Sequence, residues 1–330
     1  MQLNQQAWAI AETLIADAQS MGVQCHTNDS GVRIVDCGVK QTGSIAAGLQ
    51  LTQAAMAGLG QAWIEPAEQA ADSFQAVWPA CRWPLVAVQS NQPLAACLAS
   101  QYAGWKVSVR DYFAMASGPI RAAIGREDLY DSEALGLGSM RERAGYAVGL
   151  LESAKIPPIE VCLLLAADAG VPPSSLILLV ARTASIAGTL QVIARSLETA
   201  LHQLHELHFD LRRIRCGTGR APLAPVPSKD LVAIGRTNDA ILYGSHVVLE
   251  VSGDDESLLE IGPRMVSSAS ADYGEPFANL FKKAGGDFYA IDPSLFAPAL
   301  VDLVNTDTGR RHRFGGIAPD IVERSFTTGD

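Results

Sequence analysis

The spacing of apolar and polar positions makes residues 3–21 an amphipathic helix, with Ala7, Ile10, Leu14, Ile15 and Ala18 on one face. Residues 32–36, 62–65, 85–89 and 105–109 are short apolar or alternating runs and read as strands. Between the first two lies a stretch rich in Gly and Ala, residues 43–60, whose small side chains let a helix approach its neighbour closely. The Gly43-Ser44 pair also suits a turn facing a ligand. Asn91 is placed to cap a helix with Pro93 in its first turn. The second half alternates more regularly. A strand at 146–151 precedes Pro157-Pro158 and a helix through Ala169. A strand at 176–180 precedes a helix bearing Ile186, Leu190, Ile193 and Leu197. Strands at 211–215 and 247–251 follow, then helices near 257–270 and 276–284. Strand and helix in alternation predict an α/β fold. The charged, Gly-rich residues 125–144 read as a solvated loop or boundary, which divides the chain into 1–144 and 145–330, with the C-terminal segment expected to fold back on the first domain.

Two turns stand out chemically. Arg182-Thr183-Ala184-Ser185 joins the 176–180 strand to its helix, and the Thr183 and Ser185 hydroxyls can each cap it by accepting from free N–H groups. A strand, a turn and a helix N-terminus together make a place to hold a polar ligand. The helix expected to follow carries Arg195 and Glu198, three residues apart on one face. Spacing alone leaves a solvated ion pair as the simpler reading of those two. The other turn, Ser117-Gly118-Pro119, follows a strand, and open α/β sheets bind ligands at strand carboxyl ends; a plain loop fits equally.

Composition narrows the function. With 48% hydrophobic and 18% charged residues over 330 positions, the chain is an ordinary globular protein of one or two domains. A net charge of −10 argues against a nucleic-acid partner, which would require phosphate neutralisation. No apolar run reaches the ~18 residues that span a bilayer. The uncharged start lacks the basic region of a signal peptide, so a cytoplasmic location is expected. Six scattered cysteines without a C-x-x-C read as reduced thiols. His202, His205 and His208 have the spacing H-x-x-H-x-x-H, but successive steps of three drift around a helix, and a solvated helix end explains them as well as a metal does. The fingerprints of phosphate-binding loops, dinucleotide-binding turns and serine-hydrolase elbows are missing; Gly217-Thr218-Gly219 lacks the third glycine of the second.

Five blocks, in order along the chain, resemble the methenyltetrahydromethanopterin cyclohydrolases: Val35-Asp36-Cys37-Gly38-Val39; Ala103-Gly104-Trp105 with the run from Asp111 to Pro119; the stretch from Leu178 to Thr199; the run from Ala233 to Gly244; and Asp287-Phe288-Tyr289-Ala290-Ile291-Asp292-Pro293 with Phe296-Ala297-Pro298-Ala299. The resemblance implies two α/β domains with a substrate pocket between them, a homotrimer, and no metal or cofactor. It implies addition of water to the cationic methenyl bridge of a pterin one-carbon carrier, giving the 5-formyl compound. The family's R-x-x-E pair falls on Arg195 and Glu198. Two departures, Arg182 where Pro is expected and Arg220 where Thr is expected, bear on recognition of the carrier's tail.

The chemistry fits that expectation. An amidinium-like carbon is already electrophilic, so hydrolysis needs a positioned water, a base and an acid for the leaving nitrogen. Glu198 is the candidate for the proton transfers and Arg195 for holding it and stabilising oxygen charge. Arg236, Asn238 and Asp239 are candidates for the donor–acceptor edge of the pterin, and Thr183, Ser185, Ser117 and Gly118 for other polar parts of it. Rival readings are a non-catalytic pterin-binding protein and a hydrolase of another cationic amidine carbon.

Overall fold

The computed structural model describes residues 2–70, 72–130, 137–286 and 290–327, so Asp287, Phe288 and Tyr289 of the last sequence block lie outside the described residues. In chain order the elements are α1 (Leu3–Ala16), α2 (Ala18–Met21), β1 (Gln24–Thr27), β2 (Arg33–Gly38), α3 (Ile45–Ala55), β3 (Gly60–Glu65), α4 (Asp72–Gln75), β4 (Leu85–Ser90), β5 (Trp105–Val109), β6 (Tyr112–Ser117), α5 (Ile120–Ile124), β7 (Ala147–Glu152), α6 (Ile159–Asp168), β8 (Leu176–Ala181), α7 (Ile186–Ile193) and α8 (Ser196–Glu206). Then come β9 (Ile214–Pro222), α9 (Asp230–Leu242), β10 (His246–Val251), α10 (Asp255–Ile261), α11 (Phe277–Lys283), β11 (Leu300–Asn305), β12 (Arg311–Gly315) and α12 (Pro319–Thr327). The fold is mixed α/β, built on two six-stranded sheets.

The chain forms two compact units, residues 1–61 with 94–191 and residues 62–93 with 192–330. The expected boundary near 144 falls inside the first unit, because β7 pairs with both β6 and β8 and so ties the sequence on either side of that point into one sheet. The C-terminal residues belong to the second unit.

The first sheet runs β1-β2-β8-β7-β6-β5, with β2, β8 and β7 parallel. β8 explains its own continuous apolar run. Leu176, Leu178 and Val180 pack to one side with Val161 and Leu165 of α6, while Ile177, Leu179 and Ala181 pack to the other with Ala7 and Leu14 of α1 and Leu51 of α3. A parallel strand covered on both faces needs apolar side chains at every position. The small residues of α3 serve close packing, as expected: a Cβ on Gly48 would lie 3.0 Å from Leu190 Cβ and 3.1 Å from Ala187 Cα.

Several local expectations change. The first helix breaks at Asp17. Most of the 111–119 run is β6, the second strand of a hairpin with β5. The helix after Pro93 is π-helical, Leu94–Gln101. Its terminal carbonyls at Leu98 and Ser100 accept from the buried Arg121 guanidinium, at 2.9 and 3.3 Å. Leu129 and Tyr130, placed in a solvated loop by their charged neighbours, are buried, and the Tyr130 ring lies 5.8 Å from that guanidinium.

The second sheet runs β12-β11-β10-β9-β4-β3, with β10 and β11 parallel. The strand expected at 211–215 begins only at Ile214 and continues to Pro222, so the Gly217-Thr218-Gly219 segment lies inside a strand.

Candidate active site

The site grows from the connection after β8. Ser185 caps α7, its Oγ accepting from Gly188 N at 3.0 Å. Thr183 does something else: its hydroxyl donates to the Glu152 carboxylate at the end of β7, and its carbonyl accepts from Thr189 Oγ1 at 2.8 Å. A single helix was expected from there through Glu198. Instead α7 stops at Ile193 and α8 starts at Ser196. Arg195 occupies the break with φ −85° and ψ 5°, in the sparsely populated bridge region. Its N–H donates to Val192 O at 3.0 Å, while its carbonyl takes both Thr199 N at 2.8 Å and Thr199 Oγ1 at 2.9 Å. Arg195 is therefore the N-cap residue of α8. Glu198 falls in the first turn of α8, where the aligned peptide dipoles favour a carboxylate. Each of the two is 6% exposed, so this is no solvated surface pair.

What lets α8 begin here is β9. A Cβ on Gly219 would lie 2.4 Å from Ser196 Oγ and 2.9 Å from Leu197 N, and one on Gly217 would lie 2.6 Å from Leu197 Cδ1. The two glycines bring the first turn of α8 against the strand backbone. Both had registered in the sequence only as half of a dinucleotide-binding turn.

The other candidates are distributed more widely. Thr183, Ser185, Ser117 and Gly118 belong to the first unit; Arg195, Glu198, Arg236, Asn238 and Asp239 belong to the second. Within the first unit the chain leaves β6 and β8 in opposite directions. β6 runs antiparallel to β7, with Ser117 opposite Leu150 and Met115 opposite Glu152, whereas β8 runs parallel to β7 and ends beside Glu152. Ser117 is buried, and Gly118, at φ +92°, donates its N–H to Ser100 O at 2.8 Å. In α9, Arg236 donates to Pro225 O at 3.1 Å and Ser325 O at 3.3 Å, and Asn238 to Ile234 O at 2.8 Å. Asp239 is fully buried and accepts from Phe277 N at 2.8 Å. Burial pushes its carboxyl up to about 7, against the Ser325 hydroxyl, the Phe277 amide and the charge of Arg324, which favour the ionised form.

Arg220 is engaged within the sheet. Its Nε and Nη2 meet the Glu65 carboxylate at 2.9 and 3.2 Å, and Trp63 Nε1 donates to the same group at 2.8 Å. His202 lies 3.7 Å from Glu206, burial lowers the basicity of His205, and His208 has left the helix at φ 59°. Among the described residues no three His, Cys, Asp or Glu are grouped to hold a metal.

The sequence model of the cyclohydrolase (MCH) family matches residues 2–326. The chain belongs to that family. Among relatives named methenyltetrahydromethanopterin cyclohydrolase, the protein of Methylobacillus flagellatus is 40% identical over 324 residues, 98% of this chain and 95% of the relative. That of Rhodopirellula baltica is 42% identical over 299 residues, 90% and 86% of the two chains. That of Methanospirillum hungatei is 35% identical over 324 residues, 98% of each. For this MCH-family chain, sequence reasoning missed Ser196, Gly217 and Gly219. The signal available was two glycines spaced to leave one face of a strand bare, opposite a helix start with no capping side chain.

Proposed function

We propose that Arg195 and Glu198 carry the hydrolysis of the cationic methenyl bridge of 5,10-methenyltetrahydromethanopterin, or of its dephospho form, to the 5-formyl compound. The reading is supported by a buried guanidinium and carboxylate on the first turn of α8, in a chain that matches this family from end to end. Water adds to the bridge carbon as Glu198 takes a proton, and the π electrons of the C–N bond move to nitrogen, leaving a neutral tetrahedral adduct. Glu198 returns that proton to the leaving ring nitrogen. The C–N bond breaks, the adduct's hydroxyl becomes the formyl carbonyl, and its proton leaves by way of Glu198 to solvent. One cation and one water thus give one neutral formyl product and one proton. Arg195 orients the carboxylate and balances charge that gathers on oxygen in the adduct. The substrate supplies its own positive charge, so the step needs no metal and no cofactor. The enzyme is taken to act as a cytoplasmic homotrimer.

Mixing the protein with the methenyl substrate and following its ultraviolet absorbance tests the reading. Catalysed loss of the methenyl chromophore is expected; a spectral shift without turnover would indicate a binding protein instead. Glu198→Gln keeps a hydrogen bond but removes the base, and turnover should fall by about 10²–10⁴-fold with folding intact. Arg195→Lys should also be impaired, since an ammonium cannot reproduce the planar fork. Near-normal turnover of Glu198→Gln would remove Glu198 from the mechanism.

A further inference from the structure

Between Arg195 and Glu198 sits Ser196, the first residue of α8, and it is completely buried. Its Oγ has no hydrogen-bond partner among the described residues. Such a hydroxyl is costly relative to a satisfied one, and native structures keep few of them. Around it are further donors. The N–H groups of Ser196 and Leu197 precede the first intrahelical bond, and no side chain caps them, because the N-cap residue is an arginine. The position a Cβ would take on Gly219 lies 2.4 Å from Ser196 Oγ and 2.9 Å from Leu197 N. Hydroxyl and helical amide therefore converge beside a strand residue that carries no side chain.

Packing alone would favour alanine at this position. Alanine is the better helix former, it fits the volume, and it leaves no polar atom unsatisfied. The unsatisfied hydroxyl belongs to the residue after Arg195 and two before Glu198, in the first turn and at the positive end of an eleven-residue helix. That end is suited to oxygen that gains negative charge. We propose that Ser196 is a catalytic residue: its hydroxyl, with the free amides at the start of α8, hydrogen-bonds the oxygen that adds to the methenyl carbon. The bond orients the attacking water and stabilises the oxygen in the tetrahedral adduct. No covalent bond to Ser196 forms, and its proton stays in place. The inference rests on the assignment of Arg195 and Glu198 to the same reaction.

Ser196→Ala tests it, measured beside Glu198→Gln by steady-state kinetics on the methenyl substrate and by thermal melting. Losing one donor to a developing oxyanion lowers turnover by about 10²-fold in well-studied cases. The expected result for Ser196→Ala is a fall in kcat of at least about tenfold, with KM within about threefold of wild type, as for an interaction made in the transition state. Its melting temperature should equal or exceed wild type, because an unsatisfied buried hydroxyl has gone. Unchanged kcat overturns the proposal. So does a lowered melting temperature accompanying the kinetic loss, which marks a structural hydroxyl. If Glu198→Gln is impaired and Ser196→Ala is not, only this inference fails. If Glu198→Gln turns over normally, the assignment of the site itself fails.

Discussion

Gly219→Ala should cripple turnover without unfolding the protein. The added Cβ would lie 2.9 Å from Leu197 N and 2.4 Å from Ser196 Oγ, against an ordinary contact of 3.4 Å or more. The serine side chain can turn away. The amide nitrogen cannot, so the first turn of α8 must retreat from β9 by at least 0.5 Å, the difference between 2.9 and 3.4 Å. Overpacking of this kind costs about 1–3 kcal/mol. That should lower the melting temperature by about 2–4 °C per kcal/mol at most, given the size of the chain. The kinetic effect should be the larger one. Arg195 and Glu198 ride on the displaced turn, and a misplacement of 1 Å costs about 10²-fold, so half of it should cost about tenfold in kcat. Gly217→Ala is the control. Its Cβ would meet Leu197 Cδ1 at 2.6 Å and Leu249 Cδ2 at 2.8 Å, both the ends of side chains that can rotate. It should lose similar or less stability while keeping kcat within about threefold, because the helix backbone need not move. Wild-type kcat in a folded Gly219→Ala variant would refute the idea that β9 sets the position of the catalytic turn.

Asp302 is fully buried, takes the Arg313 guanidinium at 2.8 and 2.9 Å, and faces His246 Nε2 at 2.8 Å. Asp302→Asn should cost about 1–3 kcal/mol in denaturant unfolding, because buried His246 loses a charged hydrogen-bond partner while Arg313, 42% exposed, keeps water around its charge; no measurable loss would refute the reasoning. Asp239 holds its proton up to about 7 in the folded chain, against an ordinary 3.8 for an aspartic acid. The native state therefore binds more protons than the unfolded state between those pH values, and this group's contribution to stability falls as pH rises through them. Asp239→Asn should remove that slope, so its stability relative to wild type should be higher at pH 8 than at pH 5; an equal difference at both pH values contradicts the assignment. Activity should survive prolonged chelation, and loss restored by a divalent ion would refute the metal-independent mechanism.

The sequence alone determined the elements whose fate depends on neighbours along the chain. β8 was legible because a strand covered on both faces must be apolar at every position, and the cap at Ser185 because an N-cap is a local contact. Five ordered blocks were enough to suggest the family, since each constrains residue identity over several positions. Tertiary structure decided the rest. Nothing in Val192-Ile193-Ala194-Arg195-Ser196 breaks a helix, as it lacks Gly and Pro; the interruption appears where α8 meets β9, a contact between residues distant in sequence. Strand direction was equally invisible. Ser117-Gly118 and Thr183-Ser185 both follow strands, yet β6 is antiparallel to β7 while β8 is parallel to it, so the chain leaves the two strands in opposite directions. For the polar residues of α9, sequence shows donors and acceptors but not their partners; folded, Arg236, Asn238 and Asp239 meet the carbonyls and amide of nearby backbone. Arg195 and Glu198 could be named from the sequence by resemblance, but their burial, the bare strand glycines beneath their turn and the unpartnered hydroxyl between them exist only once β9 and α8 are brought together.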